Sequence, residues 1–485
     1  MSRLESYLQK TSPNERHLPT VAYLASLEHL EEENPLVAGA IVGELRDQRS
    51  HLKLIASENY SSYAVQLAMG NLLTDKYAEG FPHHRFYAGC DNVDAVEEEG
   101  ARLLKELFGA DHAYIQPHSG CDANLVAFWA VLVHRHQNPE VERLGKKSID
   151  ELTAEEYESV RQLMVSQKVM GMSLGSGGHL THGYRHNISS KMMHSVSYDI
   201  DPKSGVLDYD VIMEQARKER PAILLAGYSA YPRLVNFAKM KEIADDVGAV
   251  LMADIAHFAG LVAGKALVGE YDPVPYADII TSTTHKTMRG PRGGFVLCTE
   301  EFAGIVDKGC PLVLGGPLPH VMAAKAVAFR EASQPAFCDY AKNVIANAQS
   351  LAEGLLERGA TLLTGGTDNH MVLIDVRKYG LTGRHAERAL RDAGVTVNRN
   401  AIPSDPNGPW YTSGVRIGTP ATTTLGMGSD EMKGIADVIA DVLESTEAEG
   451  ASKAKYVIDS GVLASAKGRV AEILGRFPLY PALKV

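Results

Sequence analysis

The sequence predicts an α/β protein in which a large, mainly parallel sheet domain precedes a smaller α/β domain, and three features carry that expectation. Short apolar runs at Ile223 to Ala226 and Ala249 to Ala253 are separated by an amphipathic stretch, Phe237 to Asp246, which is the strand–helix–strand rhythm of a covered parallel sheet. A further β-branched run (Ile279, Ile280, Thr281, Thr283, Thr284) ends at His285-Lys286, just before the turn Gly290-Pro291-Arg292-Gly293-Gly294. In such a sheet ligands sit beyond the strand ends, so an amine placed there can be desolvated, lose its proton and attack a carbonyl. After about Pro319 long helical stretches alternate with single short strands, and the character of the chain changes.

A length of 485 residues exceeds one core's usual size. The predicted division is a helical arm over residues 1–50, a large domain over 51–319 and a smaller domain over 320–485. A net charge of −12, with no block of Lys or Arg, argues against a general nucleic-acid surface. The five cysteines are scattered and form no C-x-x-C pair, so neither a disulfide framework nor a zinc knuckle is indicated, and no metal is expected. No apolar run is long enough to cross a membrane, and the expected location is cytoplasmic.

Taken in order, the arm shows helical spacing around Val21 to Leu24 and Ile41-Val42, interrupted at Pro35. Asp75 to Gly89 mixes Tyr, Gly, Pro, His and Arg and reads as a loop carrying chemistry. Val93 to Phe108 reads as a helix closed by Gly109. A strand at Ala113 to Ile115 then runs through His118-Ser119-Gly120-Cys121 into a helix from about Asp122 to Val133. A strand, small residues and a helix start form an anion cradle of free backbone N–H groups. Residues 134–166 are charged and read as a surface insertion, with a helix over Ala154 to Val165 capped by Thr153 and Glu156. Val169 to Gly183 is apolar and glycine-rich, which permits close approach of backbone to a ligand. In the smaller domain the pattern gives a helix at Tyr340 to Arg358, a strand at Met371 to Val376 and a helix at Gly383 to Ala393 capped by Thr382. Strands at Val395 to Val397 and Val415 to Ile417 follow, then helices capped near Ser429 and Ser452.

A lysine at one strand end, Asp254 at the end of a neighbouring strand, a phosphate-type cradle and a histidine in a glycine loop together suggest pyridoxal phosphate. Its aldehyde needs an amine, and its ring nitrogen needs an anion in order to stay protonated. The motifs LIASENY (54–60), DKYAEG (75–80), QPHSG (116–120), GGHLTHG (177–183), ADIAH (253–257), TTHKT (283–287), GPRGG (290–294), GGTDNH (365–370) and SGVRIGTP (413–420) occur in this order. With them the sequence resembles the serine hydroxymethyltransferases, fold-type-I pyridoxal-phosphate enzymes related in fold to aspartate aminotransferase.

That resemblance implies that Lys286 forms the Schiff base, Asp254 pairs with the pyridine nitrogen, His179 stacks on the ring and His257 bonds near the phenolic oxygen. It assigns the phosphate to Ser119, Gly120 and Cys121, with Ser229 nearby and Tyr77 and Gly316 reaching in from a second subunit. Arg416 would clamp the substrate carboxylate, assisted by Ser57. Glu79 and Tyr87 would cover the substrate from the neighbouring subunit, Glu79 moving protons or orienting the folate, and Leu174, Gly178 and Asn400 would line the folate site. The implied reaction moves the hydroxymethyl group of serine to tetrahydrofolate in a homodimer or dimer of dimers. The alternative is a folate-independent aldolase of threonine or other β-hydroxy amino acids.

Four places depart from the family pattern. Pro311 to Leu314 lack the usual glycine and glutamine, Phe86 stands where tyrosine is common, and Ala88 replaces a glycine. Cys121-Asp122 replaces a small residue and glutamine, and Asp122 would repel a dianionic phosphate unless it points away.

Overall fold

The computed structural model describes residues 2–484. Seven strands form the large sheet: β1 (His112–Tyr114), β2 (Lys168–Met172), β3 (His194–Tyr198), β4 (Ile223–Gly227), β5 (Val250–Asp254), β6 (Ile279–Thr283) and β7 (Gly294–Cys298), in the order β1-β7-β6-β5-β4-β2-β3. From β6 across to β3 every pairing is parallel, and only β7 runs against its two neighbours. β4 to β7 are buried along their whole length. Helices cover both faces of the sheet, so these strands read as continuous apolar runs.

The period of two divides the core. Leu224, Ala226, Leu251 and Ala253 point to one face, onto Phe237, Met240 and Ile243 of the helix Phe237–Val247. Ile223, Leu225, Val250 and Met252 point to the other, onto Ala123, Val126 and Ala127 of the helix Gly120–Leu132. That second helix does not stop near Val133, where the sequence pattern ended it. It continues through a π-helical turn, Val133–Gln137, into Asn138–Arg143. The widened turn closes with Asn138 N–H donating to the Val133 carbonyl, immediately before Pro139, which has no N–H to give. The helix Ala154–Val165 forms as expected, with Glu156 N–H donating to Thr153 Oγ1 at 3.2 Å and Thr153 N–H to Glu156 Oε2 at 2.8 Å.

The smaller sheet contains β8 (Thr361–Leu362), β9 (Met371–Asp375), β10 (Asn398–Asn400) and β11 (Gly414–Gly418), ordered β8-β9-β11-β10 and antiparallel throughout. Helices Pro335–Glu357, Gly383–Asp392 and Ser429–Glu444 contribute to its core. Leu52 and Leu54 also lie in this core, and Leu52–Lys53 pairs in parallel with Val395–Thr396, so the first residues after the arm pack with the smaller unit. Ser452 caps no helix. Its hydroxyl accepts from the N–H groups of Ala454 and Lys455 in the turn joining strands Thr446–Ala448 and Tyr456–Ile458, and Asp459 caps the helix Ser460–Arg476 instead. The arm is helical, with Asn34 capping and Pro35 opening the helix Pro35–Ser50. Arg49 ties it to the C-terminal tail through the carbonyls of Leu479, Tyr480 and Leu483 at 2.9, 2.6 and 2.7 Å.

Candidate active site

The parallel strands β2, β4, β5 and β6 all end at the same edge of the large sheet, and the chemistry-bearing side chains collect beyond it. A cavity of about 380 Å³ there is lined by Lys286, Asp254, His179, His257, Ser119 and Gly120, together with Cys121, Ser229 and Ser57. It adjoins a second cavity of about 420 Å³ on the side of the smaller domain, with which it shares Ser57, His179, Ser229, His257 and Lys286.

Asp254, the last residue of β5, is 6% exposed. Its carboxylate accepts from Asn124 Nδ2 at 2.9 Å, His182 Nε2 at 3.0 Å and the Ala256 N–H at 3.1 Å. Burial alone would raise its pKa. The His182 hydrogen bond, the His182 and His179 rings and Asn124 outweigh that, and the carboxyl is held far below the ordinary range. His182 is itself oriented, because its Nδ1 accepts the His179 N–H at 3.2 Å and leaves Nε2 as the donor. The same logic fixes His179. Its Nδ1 accepts the Thr181 N–H at 3.2 Å and lies 2.7 Å from Thr181 Oγ1, while burial lowers the ring's pKa to about 4. His179 is therefore neutral, with its proton on Nε2.

Lys286 lies three residues past the end of β6, its carbonyl held by Asn59 Nδ2 at 2.9 Å. Burial lowers its amine to about 8, against the opposing pull of Asp254. Its ammonium has no carboxylate partner within salt-bridge distance among the described residues, which leaves the amine free to react. Arg416, in β11, is 9% exposed and donates to Asn398 Oδ1 at 3.2 Å and to the Ser229 carbonyl. Burial lowers it to about 10. Among the described residues it too is paired with no carboxylate, so a buried fork of donors faces the second cavity and needs an anion.

Ser119 caps the helix Gly120–Leu132, which leaves the first N–H groups of that helix facing the cavity. A Cβ on Gly120 would lie 2.7 Å from Thr283 Cγ2, so the helix start can approach β6 this closely only as glycine. Asp122 does not line this cavity, but it is tied to the cradle's cap. Its N–H donates to Ser119 Oγ at 3.2 Å, and its carboxylate accepts the Ser119 hydroxyl at 2.9 Å. Behind the cradle Lys325, 1% exposed, donates to the carbonyls of Ile115, Pro117 and Gly294 at 2.6, 2.8 and 2.9 Å.

The second cavity is lined by Leu174, Gly178 and Asn400, with Arg399, Pro409 and Thr412 opposite. Gly178 tolerates no side chain, since a Cβ would fall 1.9 Å from the Met172 carbonyl oxygen. Tyr77, Glu79, Tyr87 and Gly316 line neither cavity of their own chain. They gather in a separate cluster: Tyr77 donates to Glu79 Oε1 at 3.3 Å, the Tyr77 and Tyr87 rings are 4.7 Å apart, and a Cβ on Gly316 would lie 3.8 Å from Tyr77. Around them Phe86, Leu72 and Leu312 are 70%, 88% and 63% exposed.

The sequence reading missed Asn124, His182, Thr181 and Asn59. Asn124 had a signal, being a polar residue inside the apolar stretch Ala123 to Leu132. His182 had one as well, in its i,i+3 spacing to His179.

The family model described as serine hydroxymethyltransferase matches residues 30–139 and 153–439, and its gap falls inside the expected insertion. A serine hydroxymethyltransferase of Treponema pallidum is 59% identical over 487 residues, covering 99% of this chain and 85% of the relative. One from Mycolicibacterium smegmatis is 59% identical over 464 residues, with 96% and 95% covered. One from Chlamydia trachomatis is 54% identical over 489 residues, with 99% and 98% covered.

Proposed function

This chain belongs to the serine hydroxymethyltransferase family, and from that premise we propose a division of labour among its residues. The reaction is the reversible transfer of serine's hydroxymethyl group to tetrahydrofolate, giving glycine and 5,10-methylenetetrahydrofolate. The donor set fits pyridoxal phosphate, because the cavity combines an unpaired amine, a carboxylate kept ionised and a glycine-lined helix start. When bound, that cofactor supplies an electrophilic carbon and a ring that accepts the electrons left at the amino acid's α-carbon.

Lys286 presents its amine to that carbon. Asp254 keeps a proton on the ring nitrogen, and the network of Asn124, His182 and Thr181 holds the carboxylate in place for it. His179 would stack on one side of the ring. Ser119, Gly120 and Cys121 bind the phosphate chiefly through the helix N-terminus, since the Ser119 hydroxyl is already given to Asp122. Ser229 would border that site, and His257 would hydrogen-bond near the phenolic oxygen. Arg416 takes the substrate carboxylate, with Ser57 beside it. Leu174, Gly178 and Asn400 flank the pterin and aminobenzoate groups of the folate. The single observation that carries this reading is the pair of buried cations, Lys286 and Arg416, that open onto adjoining cavities with no salt-bridge partner among the described residues.

Tyr77, Glu79, Tyr87 and Gly316 serve the cavity of a second copy, which makes the working unit a homodimer or a dimer of dimers. Their exposure beside Leu72, Phe86 and Leu312 supports that arrangement. Glu79 would shuttle the proton between substrate and folate. We also propose the division at about 319 into two domains, and a cytoplasmic location in keeping with five free thiols. The test is the rate of serine-to-glycine conversion with and without tetrahydrofolate. Strong dependence is expected, whereas equal rates would favour the folate-independent aldolase.

A further inference from the structure

We infer that His370 dictates which nitrogen of His257 carries the proton, so that His257 offers an N–H rather than a lone pair to the cavity. His257 follows β5 in the large domain, and His370 immediately precedes β9 in the smaller one. His257 Nδ1 and His370 Nε2 face each other at 3.4 Å, with the rings nearly parallel at 27° and 5.6 Å apart. Two nitrogens at that range share one proton.

Both rings are buried, at 4% and 0% exposure. Burial, reinforced by the charges of Lys286 and Arg416, lowers His370 to about 3 and His257 well below its usual value. Two neutral rings leave two arrangements. If His257 donated from Nδ1, His370 would have to carry its own proton on Nδ1, an atom that is buried and has no partner among the described residues. A stranded N–H in the interior forfeits its hydrogen bond outright, and native structures rarely keep one; a stranded lone pair is the more tolerated orphan. The proton therefore sits on His370 Nε2 and is donated to His257 Nδ1. His257 is then protonated on Nε2, which bonds to no protein group among the described residues, and the residue lines both cavities. An oxygen acceptor is what that N–H would recognise, and a developing phenolate is the strongest candidate. His370 is thus a positioning residue, acting from the smaller domain on a group in the larger one.

The inference deepens the proposed function at one position, and its first test does not depend on bound cofactor. In full-length protein labelled with ¹⁵N-histidine, His257, assigned by comparison with His257→Gln, should show an unprotonated Nδ1 and a protonated Nε2. A proton found on Nδ1 overturns the inference whether or not cofactor binds. In the loaded enzyme, His370→Leu should raise the pH at which the visible cofactor band titrates by about one unit, since a lost donor leaves the phenolic oxygen more basic. His370→Gln, which keeps an N–H near the Nε2 position, should restore the wild-type value. A band that titrates identically in all three proteins overturns the inference. Wild-type protein that forms no visible band overturns the cofactor assignment instead, and the ¹⁵N result still decides this one.

Discussion

Two polar clusters in this molecule differ in how completely one chain satisfies them. Around Asp254 the side chains are tied to one another within the chain: Asn124 serves both Asp254 and Thr181, the latter at 2.7 Å, and its own carbonyl oxygen accepts Thr281 Oγ1 at 2.5 Å. Around Glu79 the side chains meet one another but are otherwise open, with Tyr77 and Tyr87 56% and 44% exposed. The first cluster is fixed by sheet and helix as soon as the chain folds. The second stays open to solvent along its aromatic rim, and its proposed role in the cavity of another copy is what remains to be tested.

Perturbing the two clusters should give different responses. The largest effect is expected from Lys286→Ala, which removes the amine and should lower serine–glycine exchange by about 10⁴-fold or more. It should do so without loss of folding, as checked by circular dichroism and turnover on the same sample. Asp254→Asn should come next, costing about 10²- to 10³-fold in turnover. The reason is that a neutral amide offers no charge to keep a proton on the ring nitrogen; a near-normal rate would remove Asp254 from the mechanism. The comparison itself is tested by mixing subunits. Glu79→Gln and Lys286→Ala homodimers should each be nearly inactive, yet hybrids of the two should regain about a quarter of wild-type activity, because half of the random dimers then carry one intact site. No regain would mean that both residues act within one chain. At the small end, Thr153→Ala removes a helix cap far from either cluster. It should cost about 1 kcal/mol in a denaturant titration and leave kcat/KM unchanged.

Local signals in the sequence carried well where the physics is local. The Thr153–Glu156 capping box, the Gly109 helix end and the β-branched run into Lys286 all stand as read, because each is decided by residues within a few positions. The motifs also brought Leu174, Gly178 and Asn400 to one cavity and set Tyr77, Glu79, Tyr87 and Gly316 apart from it. What escaped were partners distant in sequence. Asn124 and Asp254 are 130 residues apart, and nothing in either neighbourhood announces the other. Two helix ends were misread where one local signal overrode another. The π-helical turn before Pro139 let a helix run on where a proline normally stops one, and Ser452 spent its hydroxyl on a hairpin turn rather than on a helix.

The Lys325 ammonium, braced against three main-chain oxygens, carries a further consequence. Those oxygens belong to the segment entering the phosphate cradle and to the first residue of β7, while the amine itself comes from the helix Pro319–Ala332, whose start lies three residues past Gly316. One cation thus bolts the floor of a chain's own pocket to the segment proposed to serve its neighbour's. Removing that amine would take a donor from three buried carbonyls at once, so the cradle and the start of β7 would loosen together rather than separately.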